Sequence, residues 1–347
     1  MKKVLLLQNG EARKSQQEII KKRVEESGYS FRVLDIKKEK DSPTLLQQIE
    51  AWIAENQKPI ATIRWDEHSN VFGKSPRIRE VSTWGWNNDV APIAIDFSYF
   101  NHYSGFIFDL LDSQGQSSIK REWDEVENDL IPLVDFGGPL GDYIRLIKRI
   151  YQKHDYFKSL RHTTANYDVL AWTQCLVNNC RILKTNKPDV WIEKLHEIFG
   201  ASILFKIQPS PFNDKEIKLD KYRTLYSNAG SRKIMNHSVE LNASLACNAR
   251  VNITNTSGIT SELLIAQKPV ITTGESWFTD LGVFYEAKSW GHLKDLSDNH
   301  IEEEIPESQT FNRLKLANWW RKHQVLHNEK SRIISDCIKE FKDKKIT

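Results

Sequence analysis

Cysteine and methionine are scarce in this chain, four and two of 347 residues. Cys175, Cys180, Cys247 and Cys337 form no Cys-x-x-Cys pair, and no histidine cluster stands at zinc-ligand spacing. A structural zinc site and a disulfide framework are therefore excluded, and reduced thiols in a cytoplasmic protein are expected. An excess of charge of one sign is missing as well: 49 Lys and Arg stand against 46 Asp and Glu, a net +3. That balance excludes a polybasic tail but leaves room for a local basic face. Long apolar runs are also lacking. Met1-Lys2-Lys3 followed by Val4 to Leu7 imitates a signal start, yet Gln8-Asn9-Gly10 ends the run. It is too short for a signal peptide or a membrane span.

Several motifs are absent too. No Gly-x-Gly-x-x-Gly opens a helix after the first strand, which argues against a dinucleotide cofactor. A phosphate loop of the form Gly-x4-Gly-Lys-Ser/Thr, a Gly-x-Ser-x-Gly elbow and a His-Glu-x-x-His helix are not found. Nor is there an Asp-x-Asp pair, the arrangement with which metal-dependent sugar transferases commonly hold their cation. No metal and no cofactor are expected, so leaving phosphates would have to be met by protein groups.

What is present is enough apolar material for a core, 39% hydrophobic against 27% charged residues, and an alternation of strand and helix. Strands are expected at Val4–Leu7, Phe31–Ile36, Ile60–Trp65 and Pro92–Asp96, with helices at Arg13–Glu26 and Pro43–Glu55. A long basic amphipathic helix follows the Gly-Gly-Pro-Leu-Gly stretch, over Gly137–His162. A second alternating set runs through strands Asp168–Thr173, Ile203–Ile207, Arg250–Ile253 and Pro269–Thr272. Its helices are Pro188–Phe199, Val239–Cys247 and Ser257–Gln267, and Phe311–Lys342 reads as wholly helical. The pattern predicts parallel, helix-covered sheets in two lobes: residues 1–162, residues 167–310, and C-terminal helices over 311–347.

The chemistry concentrates in Asn252–Ile271. A strand there ends in the hydroxyl-rich turn Asn255-Thr256-Ser257-Gly258 and a helix begins. Free backbone N–H groups and the positive helix end make such a turn an anion site. Glu262, just past the first helical turn, lies beside the apolar stripe of its own helix. A capping box would need Ser or Thr at position 259, which is Ile, so that role is excluded. Glu262 is then either a favourably placed helix-start charge or a ligand for a ribose diol.

The order strand, Asn-Thr-Ser-Gly, three residues, Glu262-Leu263-Leu264, then Lys268-Pro269-Val270-Ile271-Thr272-x-Gly274 resembles the nucleotide-binding segment of GT-B glycosyltransferases. It is most similar to the capsular-polysaccharide group that includes bacterial Kdo transferases. Leu170-Ala171-Trp172-Thr173-Gln174 and Lys206-Ile207-Gln208-Pro209 extend the likeness, which covers residues 168–290. In the second of these, Gln208 replaces the family's His, and a diphosphate donor such as a UDP-sugar becomes at least as fitting as a CMP-sugar. The resemblance implies a GT-B-like α/β fold of two Rossmann-like lobes facing a central cleft, the C-terminal helices packing back on the first. It implies a metal-independent glycosyltransferase moving a sugar from a nucleotide donor to a hydroxyl of a glycan or lipid-linked saccharide. By the same resemblance Glu262 would hold the ribose, Thr256, Ser257 and Gly258 the phosphates, and Lys206 or Gln208 the nucleotide. Lys206 reads equally as a solvated strand-end charge. Gly274-Glu275-Ser276-Trp277-Phe278 could form a lid, Trp277 stacking on sugar or base while Phe278 fills core.

An acceptor hydroxyl must lose a proton as it attacks, which calls for a carboxylate or His. Asp96 is favoured over Asp66, with His102 third, because their loops follow strand carboxyl ends, where open α/β sheets bind ligands. Capping or hydrogen bonding would explain each singly. Arg145 and Arg149, on the basic helix, are candidate acceptor contacts, or part of a solvated face. The strip also admits duplex DNA as the acceptor, as in phage-type enzymes that glycosylate hydroxymethylated pyrimidines with a UDP-sugar. A nucleotide-sugar 2-epimerase and a sugar-binding module without turnover complete the alternatives.

Overall fold

The computed structural model describes residues 1–8, 14–36, 43–65, 76–97, 105–110, 119–161, 167–173, 180–183, 188–207, 224–226, 235–301, 304–326 and 333–346. In chain order the first elements are β1 (Lys3–Gln8), α1 (Lys14–Glu26), β2 (Ser30–Asp35), α2 (Leu45–Glu55) and β3 (Ala61–Trp65). They are followed by α3 (Pro76–Asn87), β4 (Ala91–Phe97), β5 (Gly105–Asp109), α4 (Ile119–Glu122) and α5 (Gly138–Arg161). Next come β6 (Val169–Thr173), α6 (Pro188–Phe199), β7 (Ile203–Ile207), β8 (Thr224–Tyr226), α7 (Met235–Asn248) and β9 (Val251–Thr254). The chain continues through α8 (Ile259–Ile265), β10 (Val270–Thr272), β11 (Tyr285–Glu286), α9 (Trp290–Asp295), α10 (Glu307–His323), β12 (Gln324–Leu326) and α11 (Ile333–Ile346).

Two compact units result: Met1–Glu122 together with Lys322–Thr347, and Trp123–Arg321. The first holds a six-stranded sheet in the order β12-β5-β4-β3-β1-β2. β1 pairs in parallel with β2 and β3, and β3 with β4, while β5 and β12 add antiparallel neighbours at one edge. The pleat explains why β1 is a continuous apolar run. Val4 and Leu6 face one layer with Ile20 and Val24 of α1, while Leu5 and Leu7 face the other with Ile49 of α2 and Val81 of α3. Thr44 starts α2 with a full capping box, its side chain taking the Gln47 N–H and the Gln47 side chain taking the Thr44 N–H.

The carboxyl-terminal stretch is not wholly helical. Gln324–Leu326 leaves the helix to pair antiparallel with Gly105–Ile107, so the backbone satisfies a sheet edge there instead of continuing the helical ladder. Beyond it α11 returns to the first unit, burying Ile334, Cys337, Ile338 and Phe341 among Val4, Leu6, Ile93 and Ile95. This is the packing of the last helix on the first lobe that the resemblance implied.

The second unit is built on a fully parallel sheet, β11-β10-β9-β6-β7-β8. Numbered within the unit, its strands run 3-2-1-4-5-6 from β8 to β11. The order reverses direction between β6 and β9, and open sheets of this kind bind ligands at the carboxyl ends of the strands beside that reversal. One face packs Val169, Ala171, Phe205 and Ile253 against Trp191, Ile192 and Leu195 of α6.

The compact units divide after residues 122 and 321. α5 packs along α7 and touches α8, both in the second unit. Lys153 and His154 reach Glu240 of α7, at 3.3 and 2.7 Å, and Asp155 receives Lys268 at 2.6 Å. The helix begins under tight constraint: a Cβ added at Gly141 would lie 1.8 Å from the Phe136 carbonyl oxygen. Gly141→Ala should therefore cost at least about 1–3 kcal/mol, read as a lower urea midpoint with an unchanged slope.

Candidate functional site

The turn that follows β9 is held from behind. Asn255, 2% exposed, takes the Thr273 hydroxyl on its Oδ1 at 3.4 Å, and the Thr273 N–H donates to the Thr254 carbonyl at 2.9 Å. Trp191 Nε1 donates to Thr273 Oγ1 at 3.0 Å, tying this anchor to α6. Gly274 lies so near that a Cβ there would come within 2.5 Å of Asn255 Oδ1 and 2.7 Å of Thr256 Cγ2. A side chain at 274 would push the turn off the sheet.

The front of the turn carries Thr256 and Ser257, partly buried, and Gly258, exposed. The Ser257 N–H turns back to Thr254 Oγ1 at 3.3 Å. No side chain caps α8, whose N-terminal boundary is Gly258. The local chain is tightened by bonds from Thr260 to the Ser257 carbonyl and from Ser261 to the Gly258 carbonyl.

One turn into α8 stands Glu262. Asn242 of α7 donates its Nδ2 to both carboxylate oxygens, at 3.1 and 3.3 Å, and the Tyr151 hydroxyl of α5 donates to Oε2 at 3.4 Å. Removal from water pushes the Glu262 carboxyl up to about 7, against the opposing pull of Asn242, Lys206 and Tyr151. Burial, then the neighbouring carboxylate, raises the Tyr151 phenol well above its usual value and keeps it a donor.

Lys206 belongs to the same group. It sits in β7 opposite Trp172, which in turn lies opposite Thr254 in β9. Its ammonium is 5.1 Å from the centre of the Trp172 ring, a cation–π distance. Burial lowers its pKa while Glu262 acts to raise it. Trp172 is fixed in its turn by an Nε1 bond to Asn252 Oδ1 at 3.0 Å. A cation, a carboxylate, an amide and a hydroxyl-rich turn are thus gathered at one end of β7, β6 and β9, beside the reversal in strand order. Lys206 is half-buried there, its ammonium over the Trp172 ring.

Other candidates are placed differently. Trp277 is 3% exposed, its ring 4.7 Å from that of Trp320 and 5.1 Å from that of Phe278. It is a core residue, not a lid that stacks on a ligand, because its aromatic partners claim the ring; Phe278, 1% exposed, fills core as expected. Arg145 donates to the Phe136 carbonyl at 2.9 Å and to Asp142 at 2.7 Å, closing the first turns of α5, while Arg149 is exposed. Asp96 lies at the carboxyl end of β4, its backbone opposite Ile107. Asp66, His102 and Gln208 lie outside the described residues. Among the described residues no group of three or more His, Cys, Asp and Glu could hold a metal ion, and no helix is long and apolar enough to cross a membrane.

Sequence reasoning missed Asn242, Tyr151 and Trp172 as members of the site. Asn242 had a legible signal: it falls three residues after Val239 on the stripe Val239, Ala243, Ala246 that α7 buries. A polar side chain on an apolar stripe needs a partner.

A parallel sheet whose order reverses beside a gathered cation and carboxylate places these side chains where open α/β sheets bind ligands. No protein-family model and no curated protein matches the chain. Among solved structures it is similar to the KpsC beta-Kdo 2,7 transferase of Thermosulfurimonas dismutans, at 12% identity, covering 99% of this chain and 100% of that one, TM-score 0.46. It is similar to the UDP-GlcNAc 2-epimerase of Methanocaldococcus jannaschii, solved with UDP-GlcNAc and UDP, at 13% identity, 92% and 100% coverage, TM-score 0.40. The wall teichoic acid polymerase TagF is a third, at 10% identity, 99% and 89% coverage, TM-score 0.31.

An unfolded glutamate ionises near 4.5, whereas the folded chain keeps the Glu262 proton until about pH 7. Between those values the folded state binds more protons than the unfolded, so this group makes stability fall as pH rises through the window. Glu262→Gln should therefore be about 2–3 kcal/mol more stable than the parent at pH 8. In urea melts most of that difference should be gone by pH 5.

Proposed function

We propose that the chain is a metal-independent glycosyltransferase that takes a nucleotide-sugar donor in its second unit and passes the sugar to a hydroxyl of a glycan or lipid-linked saccharide. The single observation that carries this reading is the half-buried Glu262 carboxylate beside the turn at the reversal of the sheet, held by Asn242 on both oxygens and by the Tyr151 hydroxyl, with desolvation raising its pKa. It caps no helix and forms no ion pair among the described residues, so its cost is explained by a ligand that donates hydrogen bonds, as a ribose does.

In this reading the carboxylate receives ribose hydroxyls, the turn Thr256–Gly258 meets the phosphates, and Lys206 supplies positive charge near the leaving group. Protein groups take the place of a cation in stabilising the developing charge. The acceptor hydroxyl requires a base, and the position of their loops after strand carboxyl ends favours Asp96 ahead of Asp66 and His102. The acceptor's identity rests on the sequence resemblance alone.

A thermal-shift screen with UDP-, GDP-, CMP- and dTDP-sugars should give one clear stabiliser, since a ligand stabilises the folded state according to its occupancy. Glu262→Ala should weaken that nucleotide by about 1–3 kcal/mol, the loss of charged hydrogen bonds. No shift with any donor, at millimolar concentration, would end the transferase reading. Asp96→Asn should lower turnover by at least about 100-fold with donor affinity nearly intact; full activity would pass the base role to Asp66 or His102.

A further inference from the structure

We propose that Asn242 sets the sugar specificity of the nucleotide site: with Glu262 it forms a paired acceptor that reads both hydroxyls of a ribose and rejects nucleotides lacking one. The inference rests on the donor reading above and goes further, to the chemistry by which the donor is chosen.

Asn242 is 8% exposed and stands on the buried stripe of α7. Its Nδ2 is directed at the two oxygens of Glu262, the orientation selected by the ionised carboxylate, which only accepts. The other atom of the same amide, Oδ1, is buried and has no hydrogen-bond partner among the described residues. Buried acceptors left unsatisfied are uncommon, and each calls for a reason. Here the reason lies one amide's width away. Oδ1 and the carboxylate are acceptors brought together by the bonds from Asn242 of α7 to Glu262 of α8.

Lys206 adds a cation on the sheet side, and Tyr151 on the α5 side already donates to Glu262. The unfilled capacity of the cluster is therefore for donors. A vicinal diol presents two hydroxyl protons side by side, one for the carboxylate and one for the amide oxygen. A deoxyribose presents one, and leaves a buried acceptor still unpaired. Sites built in this way reject the analogue that lacks the hydroxyl far more strongly than a shape-matched pocket rejects an extra group.

The test compares binding of three ribonucleotides, UDP, CMP and GDP, with their 2′-deoxy and 3′-deoxy analogues, by calorimetry on the full chain and on Asn242→Ala. The parent protein should bind its preferred ribonucleotide at least about tenfold more tightly than either analogue. In Asn242→Ala the ribonucleotide should weaken about tenfold while one analogue is unchanged, so that discrimination at that hydroxyl collapses. A purely structural role would weaken all three ligands alike, and that result overturns the inference. So does a parent protein that binds the ribonucleotide and its analogues equally; the donor reading would then survive without Asn242 as its reader. Because the parent's own discrimination is measured, a poorly folding variant does not rescue the idea. If none of the ribonucleotides binds the parent, both the inference and the reading beneath it fail.

Discussion

A carboxylate drawn out of water must be compensated from several directions at once, and Glu262 is compensated by three separate elements. The amide comes from α7, the phenol from α5 and the positive field from Lys206 on β7. Each is delivered by packing that serves the core as well: α5 buries Ile144, Ile147, Ile150 and Tyr151, and α7 buries Val239, Ala243, Ala246 and Cys247. The helices over this face of the second sheet are therefore tied to one another through a polar centre as well as through apolar contact. A partly satisfied polar centre of this kind is expensive to keep, which is the usual mark of a place where binding outweighs stability.

Rigidity is supplied by the other side of the turn. Asn255, Thr273 and Gly274 clamp it against the ends of β9 and β10, and Trp191 extends the clamp to α6. The hydroxyls of Thr256 and Ser257 are thus presented from a fixed frame, not from a loop that must order itself on binding. Lys206 is likewise immobilised over Trp172, itself held by Asn252. Preorganisation of this sort lowers the entropy lost when a ligand is captured.

The sequence made local order legible wherever burial on both faces leaves a continuous apolar run. Val4 to Leu7 and Val169 to Trp172 are of that type, and each lies in a strand. Glu262 stood out because Ile259 denies it a capping box. Tyr151 did not, because its partner lies 111 residues away and nothing in the local pattern of α5 separates it from the core positions beside it. Trp277 misled for a related reason: its position after a site strand suggested a ligand contact, but Trp320 on a distant helix claims its ring. β12 escaped notice because a three-residue edge strand has no periodicity of its own, and only pairing with β5 defines it. The packing of α5 on α7 and α8 is likewise not legible from its own sequence, since it depends on residues far along the chain.

The path of the chain sets an order of assembly. The sheet begun by β1 is completed by β12 and α11, after the whole of Trp123–Arg321 has intervened. On a ribosome moving at roughly 5–20 residues per second, that interval lasts about 10–40 seconds. During it Val4, Leu6, Ile93 and Ile95 lack the cover of Ile334, Ile338 and Phe341. The unit begun by β1 is thus finished last, while the unit Trp123–Arg321 is continuous and can close on itself as soon as it emerges. Nascent-chain quality control would meet the amino-terminal sheet as its longest-lived exposed surface.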